Sequence, residues 1–332
     1  MVSVVNSTSS NILVSENVTG PAMDALRSDF DVTFAPELWN DVSRLSSSIG
    51  DAQALIVRNQ TQVTAKLINA APRLEVIGRA GAGLDNIDTD AATEAGIVVT
   101  YAPQENSISV AELTIGLILA LARRIPAAHL DTNGGGWNRK AFTGSELFGK
   151  TLGVIGLGRI GTLVAQRAKA FDMPIIAHDD YVDPNSDHVR ALDIQLLSLD
   201  EVLREADIVV THVPLTEETR SMFSDACFGL MKPTAMFVNT SRGEVVDERA
   251  LVKALQDKQI AGAALDVRNS EPPDQGPLNE LDNVILTPHI AAFTREAQDR
   301  VVAAVCRDVA AVIAGGEAAN HFNFPTPRRK NS

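Results

Sequence analysis

The sequence predicts an α/β protein with two doubly wound parallel-sheet domains, and three observations lead to that prediction. Short apolar and β-branched runs alternate with helix-like segments along nearly the whole chain, a pattern typical of parallel sheets. The chain has 332 residues, about twice the length of an ordinary domain. Its 45% of hydrophobic residues can fill two cores, so we expect a globular protein rather than a disordered or fibrous one.

The first series of elements fills the N-terminal third of the chain. Five runs have the length and composition of buried strands: residues 12–14, 32–34, 54–57, 74–78 and 97–100. Helices are expected between them at 64–70, where Thr64 can cap the first turn, and at 89–95, which ends before Gly96. Together these elements predict a first parallel sheet with helices packed on it.

A polar connector that contains a proline separates the first series from the second. It covers residues 100–107 (TYAPQENS) and leads into a long apolar helix, expected from Ser109 to about Arg123. The most apolar stretch of that helix, residues 113–122, is about half the roughly 20 residues that cross a bilayer, so we expect a buried helix. The connector is the predicted start of a second domain.

The second series predicts six further strands and a returning helix. The strand-like runs begin at Thr151 and continue at 174–178, 207–213, 236–240, 261–267 and 283–289. The last helix, from Arg295 to about Ala314, has no strand after it, so we expect it to pack on the first domain. The predicted domains are therefore 1–102 plus 296–332, which is discontinuous, and 103–295. The tail from Asn320 is expected to be loose.

Charge and cysteine content exclude several classes of function. The 42 acidic and 29 basic residues give a net charge of −13, which would repel nucleic acid and anionic membranes. Cys227 and Cys306 are far apart and lie outside any metal-binding spacing, so no disulfide scaffold or metal site is expected. The first residues show no basic segment followed by a long apolar core, so the expected location is the cytoplasm.

A glycine pattern and a downstream acid predict a dinucleotide site. Gly156, Gly158 and Gly161 follow an apolar strand and open a helix, where glycines allow a tight turn, close approach of a pyrophosphate and close helix packing. Asp179 stands 18 residues after Gly161, at the end of the next strand. Its carboxylate suits the ribose hydroxyls of NAD and would repel the extra phosphate of NADP. We therefore expect NAD as the cofactor, with a plain turn residue as the alternative for Asp179.

Three residues of catalytic type follow later strands of the same series. Arg242, Glu271 and His289 each come shortly after a predicted strand, so we expect them to face one crevice. An arginine can bind a carboxylate, a histidine can exchange a proton near neutral pH, and a carboxylate bonded to that histidine favours its charged form. Singly, Arg242 could pair with a surface acid, Glu271 could belong to a turn and His289 could cap a helix. Downstream of a dinucleotide pattern, the three together predict a 2-hydroxy acid oxidoreductase.

Several longer stretches carry a resemblance to a known family. They are residues 78–97 (GRAGAGLDNIDTDAATEAGI), 106–126, 136–161, 211–219 (THVPLTEET), 238–255, 261–267, 271–273 and 287–292 (TPHIAA). Through them the chain resembles the NAD-dependent D-isomer-specific 2-hydroxyacid dehydrogenases over nearly its whole length. The resemblance implies a flavodoxin-like substrate domain from both chain ends and a central Rossmann NAD-binding domain. Because the sequence ends soon after the returning helix, we expect no C-terminal regulatory domain.

The resemblance also implies roles for individual residues. Arg242 would bind the C1 carboxylate and C2 oxygen of the substrate, His289 would be the acid/base, and Glu271 would orient and charge His289. The implied cofactor contacts are Gly156, Gly158, Arg159, Ile160, Gly161, Asp179, Val213, Pro214, Thr219, Thr240, Asp266 and Ala291. The implied substrate contacts are Arg58, Arg79, Ala80, Gly81, Ala82, Gly83, Asn106 and, across a dimer, Arg139.

Substrate and assembly follow from the same resemblance. A hydride would pass between nicotinamide and C2 of a D-2-hydroxy acid or 2-oxo acid. The cations of Arg58 and Arg79 favour D-3-phosphoglycerate and 3-phosphohydroxypyruvate, although each could be an ordinary structural charge. Hydroxypyruvate, glyoxylate or another small 2-hydroxy acid is the alternative substrate, and an NADH-sensing binding module is the alternative function. The apolar helix 111–122 and the arm 136–149 favour a homodimer or a dimer of dimers, with a role in the core alone as the alternative.

Overall fold

A computed structural model describes residues 11–329, which form two compact units. The first unit contains residues 11–106 and 294–329, and the second contains residues 107–293. The loop before residue 107 stays with the first unit, beyond the boundary expected at 102/103, because Arg300 Nε donates a hydrogen bond to the Glu105 carbonyl at 3.0 Å. The expectation about an export signal concerns mainly residues 1–10, which lie outside the described residues.

The first unit contains a five-stranded parallel sheet. Its strands are β1 (Asn11–Val14), β2 (Asp31–Phe34), β3 (Ala54–Val57), β4 (Val76–Arg79) and β5 (Val98–Thr100). They lie in the order β2-β1-β3-β4-β5, which is the order of a flavodoxin-like sheet. The fold class predicted for this part of the chain is confirmed.

Helices pack on both faces of this first sheet. They are α1 (Pro21–Asp29), α2 (Val42–Ser48), α3 (Ala65–Asn69), α4 (Thr89–Glu94) and, from the C-terminal part of the chain, α12 (Arg295–Ile313). α1 and α12 bury one face with residues such as Met23 and Val305, while α2, α3 and α4 bury the other. The Thr64 hydroxyl accepts a hydrogen bond from Leu67 N at 3.4 Å, so the predicted cap of α3 is confirmed, as is the return of the last helix to the first unit.

The expectation of a loose tail is wrong for the described part of the segment that begins at Asn320. Phe322 N donates to the Val99 carbonyl at 2.8 Å, along the edge of β5. Phe324 is 3% exposed. The carboxylate of Asp308, buried in α12, accepts hydrogen bonds from the backbone and side-chain nitrogens of Asn320, each at 2.9 Å. The tail docks because β5 would otherwise leave backbone groups without partners at the sheet edge.

The second unit contains a seven-stranded parallel sheet. Its strands are β6 (Leu152–Ile155), β7 (Ile175–His178), β8 (Gln195–Leu196), β9 (Ile208–Thr211), β10 (Met236–Asn239), β11 (Gly262–Leu265) and β12 (Val284–Leu286). They lie in the order β12-β11-β10-β9-β6-β7-β8, the Rossmann order with one added edge strand. The six predicted strands are present, but the prediction missed β8, whose two residues are too few to form an apolar run.

Helices also cover both faces of the second sheet. They are α5 (Ser107–Ala122), α6 (Ile125–Asn133), α7 (Arg159–Lys169), α8 (Asp187–Ala191), α9 (Leu199–Glu205), α10 (Asp225–Leu230) and α11 (Glu248–Gln256). α5 and α7 share a core with one face, and α9, α10 and α11 share a core with the other. The prediction of a buried apolar helix after the connector is confirmed by α5, which begins at Ser107 rather than Ser109. Among the described helices, none combines the length and the hydrophobicity that a membrane crossing requires.

Candidate active site

Most of the predicted site residues lie in the second unit, where its strands end. Because the paired strands are parallel, their carboxyl ends point the same way. β6 leads into the glycine turn and β7 leads to Asp179. β10, β11 and β12 lead to Arg242, Glu271 and His289, respectively. The fold therefore gathers these residues at one end of one sheet.

The glycine turn is shaped by close backbone contacts. Gly156 has a φ of 88°, and a Cβ added to it would lie 2.9 Å from the carbonyl carbon of His212. A Cβ added to Gly161 would lie 2.2 Å from the Gly156 carbonyl oxygen. At Gly158 the same test meets no atom within 4 Å. Two of the glycines therefore permit tight packing, and the third leaves space in front of the first turn of α7.

Asp179 is held beside the glycine turn. Its Oδ2 accepts a hydrogen bond from Leu157 N at 2.8 Å, and its Oδ1 accepts one from Tyr181 N at 2.9 Å. Each carboxylate oxygen can accept further hydrogen bonds. The open space at Gly158, the N-terminus of α7 and this fixed carboxylate fit a dinucleotide, with its pyrophosphate at the helix and its ribose at Asp179.

Arg242 lies in a turn that is braced by a buried asparagine. The Asn239 side chain, 1% exposed, donates from Nδ2 to the Arg242 carbonyl at 2.8 Å. Its Oδ1 accepts from the backbone nitrogen and the hydroxyl of Ser241, each at 2.9 Å. The Arg242 Nη1 donates to the Ser241 carbonyl at 2.8 Å. Sequence reasoning missed Asn239, although an amide directly at the end of a buried strand is a usable signal of such a turn.

Glu271 and His289 form a short hydrogen bond. The distance between His289 Nδ1 and Glu271 Oε2 is 2.6 Å, and Glu271 Oε1 accepts a second bond from Arg268 N at 3.1 Å. An ionised carboxylate only accepts hydrogen bonds, so Nδ1 carries the hydrogen. This tautomer leaves Nε2 as the ring nitrogen that can exchange a proton with a bound molecule. The His289 side chain is 42% exposed and the Glu271 side chain is 35% exposed, so a ligand can reach both.

Charges around Glu271 keep its carboxylate ionised. Burial raises the pKa of Glu271, but hydrogen bonds from His289 and Arg268 N lower it, and so do the charges of His289 and Arg242. The net shift of the Glu271 pKa is downward from its ordinary value. Arg242 is thus close enough to act on Glu271, and the structure brings together the three residues predicted to be catalytic.

A buried carboxylate, Asp266, holds the loop that carries His289. Asp266 is 1% exposed, and its Oδ1 accepts from the Thr287 hydroxyl at 2.5 Å and from Ile290 N at 2.9 Å. Its Oδ2 accepts from Ala291 N at 2.8 Å. The backbone of His289 has a φ of 54°, which is uncommon for a residue other than glycine. Asp266, predicted as a cofactor contact, therefore supports a strained backbone next to the pair.

The other predicted cofactor residues lie around the same strand ends. Arg159 and Ile160 begin α7, and Val213 follows β9. The Thr219 hydroxyl donates to the Pro214 carbonyl at 2.6 Å, which closes the loop after β9 on itself. The Thr240 hydroxyl is 2.9 Å from that of Thr114 on α5, in a buried contact.

His212 is a feature that sequence reasoning missed. Both nitrogens of its ring are buried and have no hydrogen-bond partner among the described residues. Burial lowers the pKa of His212 to about 3, so its ring stays neutral near neutral pH. Its backbone packs against Gly156. The only sequence signal is a histidine that directly follows a buried strand.

The predicted substrate residues of the first unit follow β3 and β4. Glu16, 1% exposed, accepts a hydrogen bond from Arg58 N at 2.8 Å. The Arg58 guanidinium contacts the Asn17 carbonyl and the side chain of Gln298. Burial lowers the pKa of Arg58, and Glu16 opposes that shift.

The loop after β4 contains the other first-unit candidates. The Arg79 guanidinium lies directly over Gly81, and Ala80 N donates to the Val57 carbonyl at 2.8 Å. Ala82 and Gly83 continue this loop, and Asn106 is the last residue before the second unit. Arg139 lies elsewhere, on an exposed 3₁₀ turn, Arg139–Phe142, of the second unit. No cluster of three or more His, Cys, Asp or Glu residues that could hold a metal ion occurs within residues 11–329.

Comparisons with known proteins agree with this geometry. Residues 115–291 match the NAD binding domain of the D-isomer specific 2-hydroxyacid dehydrogenases. The chain is 46% identical over 321 residues to D-3-phosphoglycerate dehydrogenase of Methanocaldococcus jannaschii, covering 96% of this chain and 60% of that protein. The chain belongs to the D-isomer specific 2-hydroxyacid dehydrogenase family.

Solved structures lead to the same family. A protein of Thermus thermophilus superposes with a TM-score of 0.88 at 35% identity, covering 94% of this chain and 99% of that one. D-lactate dehydrogenase of Aquifex aeolicus, solved with NAD and lactic acid, superposes with a TM-score of 0.86 at 30% identity, covering 95% and 100%. Fold and family are thus established. The chain spans about 60% of the length of the M. jannaschii relative.

Proposed function

We propose that the protein is an NAD-dependent oxidoreductase that interconverts D-2-hydroxy acids and 2-oxo acids. The observation that carries the proposal is the 2.6 Å bond between His289 and Glu271, beside Arg242 and on the same sheet as a turn that fits a dinucleotide. Family membership supports this reaction class. NAD is favoured over NADP because the negative charge of the Asp179 carboxylate, beside the glycine turn, would repel the 2′-phosphate of NADP.

The residues of the site divide the work of the reaction. NAD, when bound, accepts or supplies the hydride at C2 of the substrate. In reduction, His289 Nε2 gives its proton to the C2 oxygen, which becomes the hydroxyl, and the ring regains a proton from water. In oxidation, the same nitrogen removes the hydroxyl proton. Arg242 binds the C1 carboxylate and polarises the C2 oxygen, while Glu271 keeps the ring oriented and favours its protonated form.

For the substrate we propose D-3-phosphoglycerate and 3-phosphohydroxypyruvate. The relative with this name in M. jannaschii shares 46% of its aligned residues with the chain. Arg58 and Arg79 offer the cations that a phosphate on the third carbon would require. The position of Arg58 is fixed, because Glu16 holds its backbone and Gln298 contacts its guanidinium. The loop Ala80–Gly83 and Asn106 would contact the C1 carboxylate.

A small 2-hydroxy acid without phosphate is the second candidate. The structural similarity to a D-lactate dehydrogenase favours it. Such a substrate has no phosphate, so Arg58 and Arg79 would then be ordinary structural charges. A module that senses NADH without turning over a substrate is a third and weaker candidate. Sensing NADH does not require proton transfer, so this candidate leaves the acid/base pair of Glu271 and His289 without a role.

One assay separates these candidates. Purified protein is mixed with NADH and, in turn, with 3-phosphohydroxypyruvate, hydroxypyruvate, glyoxylate and pyruvate, while absorbance of NADH is followed. We expect the highest kcat/KM with 3-phosphohydroxypyruvate and a lower value with NADPH in place of NADH. A preference for an unphosphorylated acid would replace the substrate and keep the reaction class. Absence of turnover with every acid, together with tight NADH binding, would favour the sensing module.

Assembly and location stay predictions. A homodimer or dimer of dimers through α5 and the arm 136–149, with Arg139 reaching a partner subunit, is tested by the mass in solution at micromolar concentration. A monomer would contradict both the dimer and the role of Arg139. The cytoplasm remains the predicted location.

A further inference from the structure

The turn that carries Glu271 begins with a bidentate ion pair. Arg268 donates from Nε to Glu248 Oε1 and from Nη2 to Glu248 Oε2, each at 3.0 Å. Glu248 Oε1 also accepts a hydrogen bond from Asn269 N at 2.9 Å. Glu248 is the first residue of α11, so this helix holds two consecutive residues of the turn. Two parallel bonds of this kind fix both the direction and the distance of the arginine.

The ion pair is connected to the acid/base pair through one backbone group. Arg268 N donates to Glu271 Oε1 at 3.1 Å, while Glu271 Oε2 binds His289. The carboxylate of Glu271 is therefore held at both oxygens, once by the histidine and once by the arginine backbone. If Arg268 moves, one of the two bonds that orient Glu271 is lost.

The backbone of Arg268 also touches the turn of the substrate arginine. A Cβ added to Gly243, the residue after Arg242, would lie 2.1 Å from the carbonyl carbon and oxygen of Arg268. The two loops are therefore in direct backbone contact. The position of Arg268 is thus linked to all three residues of the proposed catalytic set.

We propose that Glu248 and Arg268 are positioning residues, whose ion pair fixes the backbone of the Glu271 turn and thereby sets the proton exchange of His289. This inference rests on the proposed function for its effect on catalysis. Within residues 11–329, three groups act on the Glu271 carboxylate: the His289 ring from the loop after β12, the Arg242 guanidinium from the turn after β10, and the backbone nitrogen of Arg268. The Arg268 guanidinium itself is engaged with Glu248.

The ion pair lies beside an open cavity, so either residue can be substituted without leaving an enclosed void. Glu248 and Arg268 line an open cavity of about 470 Å³ between α11 and the turn, together with Lys253. Water can therefore enter where a side chain is shortened, and a single substitution does not leave an enclosed void. Lys253 provides a matched control: it is a second cation of the same cavity, paired with Asp225 at 3.2 Å rather than with the turn.

The sign of the expected effect distinguishes positioning from simple charge removal. Taking a cation away from the neighbourhood of a histidine favours the protonated ring and would raise the pH at which it titrates. Loosening Glu271 weakens the bond that favours the protonated ring and would lower that pH. In Arg268→Met the positioning proposal requires the second result.

The test measures the titration midpoint of the His289 ring by NMR, with the His289→Gln spectrum identifying its signals. Wild type, Arg268→Met, Arg268→Lys and Lys253→Met are compared, and the pH profile of kcat/KM for 2-oxo acid reduction is recorded for each. We expect a lower midpoint in Arg268→Met, no change in Lys253→Met, and partial recovery in Arg268→Lys, which keeps one ionic contact. The kcat/KM of Arg268→Met should fall about tenfold, with its alkaline limb moved to lower pH.

Three results would overturn the inference. They are an unchanged midpoint in Arg268→Met whatever its melting temperature, a raised midpoint, and equal shifts in Arg268→Met and Lys253→Met. The midpoint is measured without turnover, so it remains informative if no 2-oxo acid is reduced. In that case a lowered midpoint would support the positioning role while the proposed function fails.

Discussion

The glycine turn after β6 and the loops after β10, β11 and β12 lie at the same end of one sheet, but different interactions fix them. The turn is fixed by close backbone contacts that its glycines permit, since Gly156 and Gly161 have no room for a side chain. The loops are fixed by side chains distant in sequence, as when Asp266 binds Ala291 N. Cofactor binding is therefore specified by a local motif, and the acid/base geometry by a long-range network. The two regions should fail separately when mutated.

The largest expected effect is the loss of proton transfer in His289→Gln. The glutamine can still bond to Glu271 but cannot exchange a proton near neutral pH, so kcat should fall by about 10²- to 10⁴-fold. NADH affinity, measured by fluorescence titration, should be unchanged because the glycine turn is untouched. If turnover stays near the wild-type value, His289 is not the acid/base.

Two alanine substitutions separate packing from cofactor access in the glycine turn. Gly161→Ala places a methyl group 2.2 Å from the Gly156 carbonyl oxygen and should reduce the free energy of unfolding by about 1–3 kcal/mol. Gly158→Ala enters open space, so urea unfolding should match wild type while KM for NADH rises. An unchanged KM in Gly158→Ala would show that no pyrophosphate approaches this residue.

A smaller effect is expected on the choice of coenzyme. Asp179→Asn removes the charge that opposes a 2′-phosphate, and the ratio of kcat/KM for NADH to that for NADPH should fall about tenfold, or about 1.4 kcal/mol. Asp180→Asn is the matched control, since the Asp180 side chain is 79% exposed, whereas the Asp179 carboxylate is bonded to Leu157 N in the glycine turn. Equal changes in both variants would point to net charge rather than to recognition at Asp179.

The smallest expected effect is on stability at mildly acidic pH. Unfolded His212 binds a proton below its ordinary pKa of about 6.5, whereas burial lowers the pKa of the folded residue to about 3. The contribution of His212 to stability is therefore complete above pH 6.5 and is lost as pH falls. Between pH 6.5 and 5.5 the loss is about 1 kcal/mol.

Urea unfolding at these two pH values checks the assignment to His212. His212→Asn should lack this part of the pH dependence, and His129→Gln, which changes an exposed histidine of α6, should keep it. Identical pH dependence in wild type and His212→Asn would contradict a lowered pKa of His212 in the folded protein, because the ring would then bind a proton equally in both states.

The sequence predicts those parts of the molecule that depend on neighbouring residues. Apolar runs predict the long strands of both sheets, and the position of Arg242, Glu271 and His289 after such runs predicts their meeting. β8 was missed because two residues carry no periodic pattern. The docked tail was wrongly expected to be loose because its partners, β5 and Asp308, are recognised only once the chain is folded.

The contacts that hold the acid/base pair in place could also not be predicted from the sequence. Glu248, at the start of α11, and Arg268, after β11, are 20 residues apart, and no local pattern pairs them. Asp266 was identified as a site residue, but its bonds to the His289 loop appear only in three dimensions. A sequence can thus indicate which groups react, whereas the groups that hold them depend on packing between distant segments.

The most direct test of the central claim is the configuration of the product. NADH and 3-phosphohydroxypyruvate or, if an unphosphorylated acid is the better substrate, hydroxypyruvate or pyruvate are incubated with the protein, since each of these gives a hydroxy acid that is chiral at C2. The hydroxy acid is then separated on a chiral column. We expect the D-isomer alone, because Arg242 and His289 fix the carboxylate and the oxygen so that hydride reaches one face of C2. Formation of the L-isomer, a racemic mixture or no hydroxy acid would contradict the account.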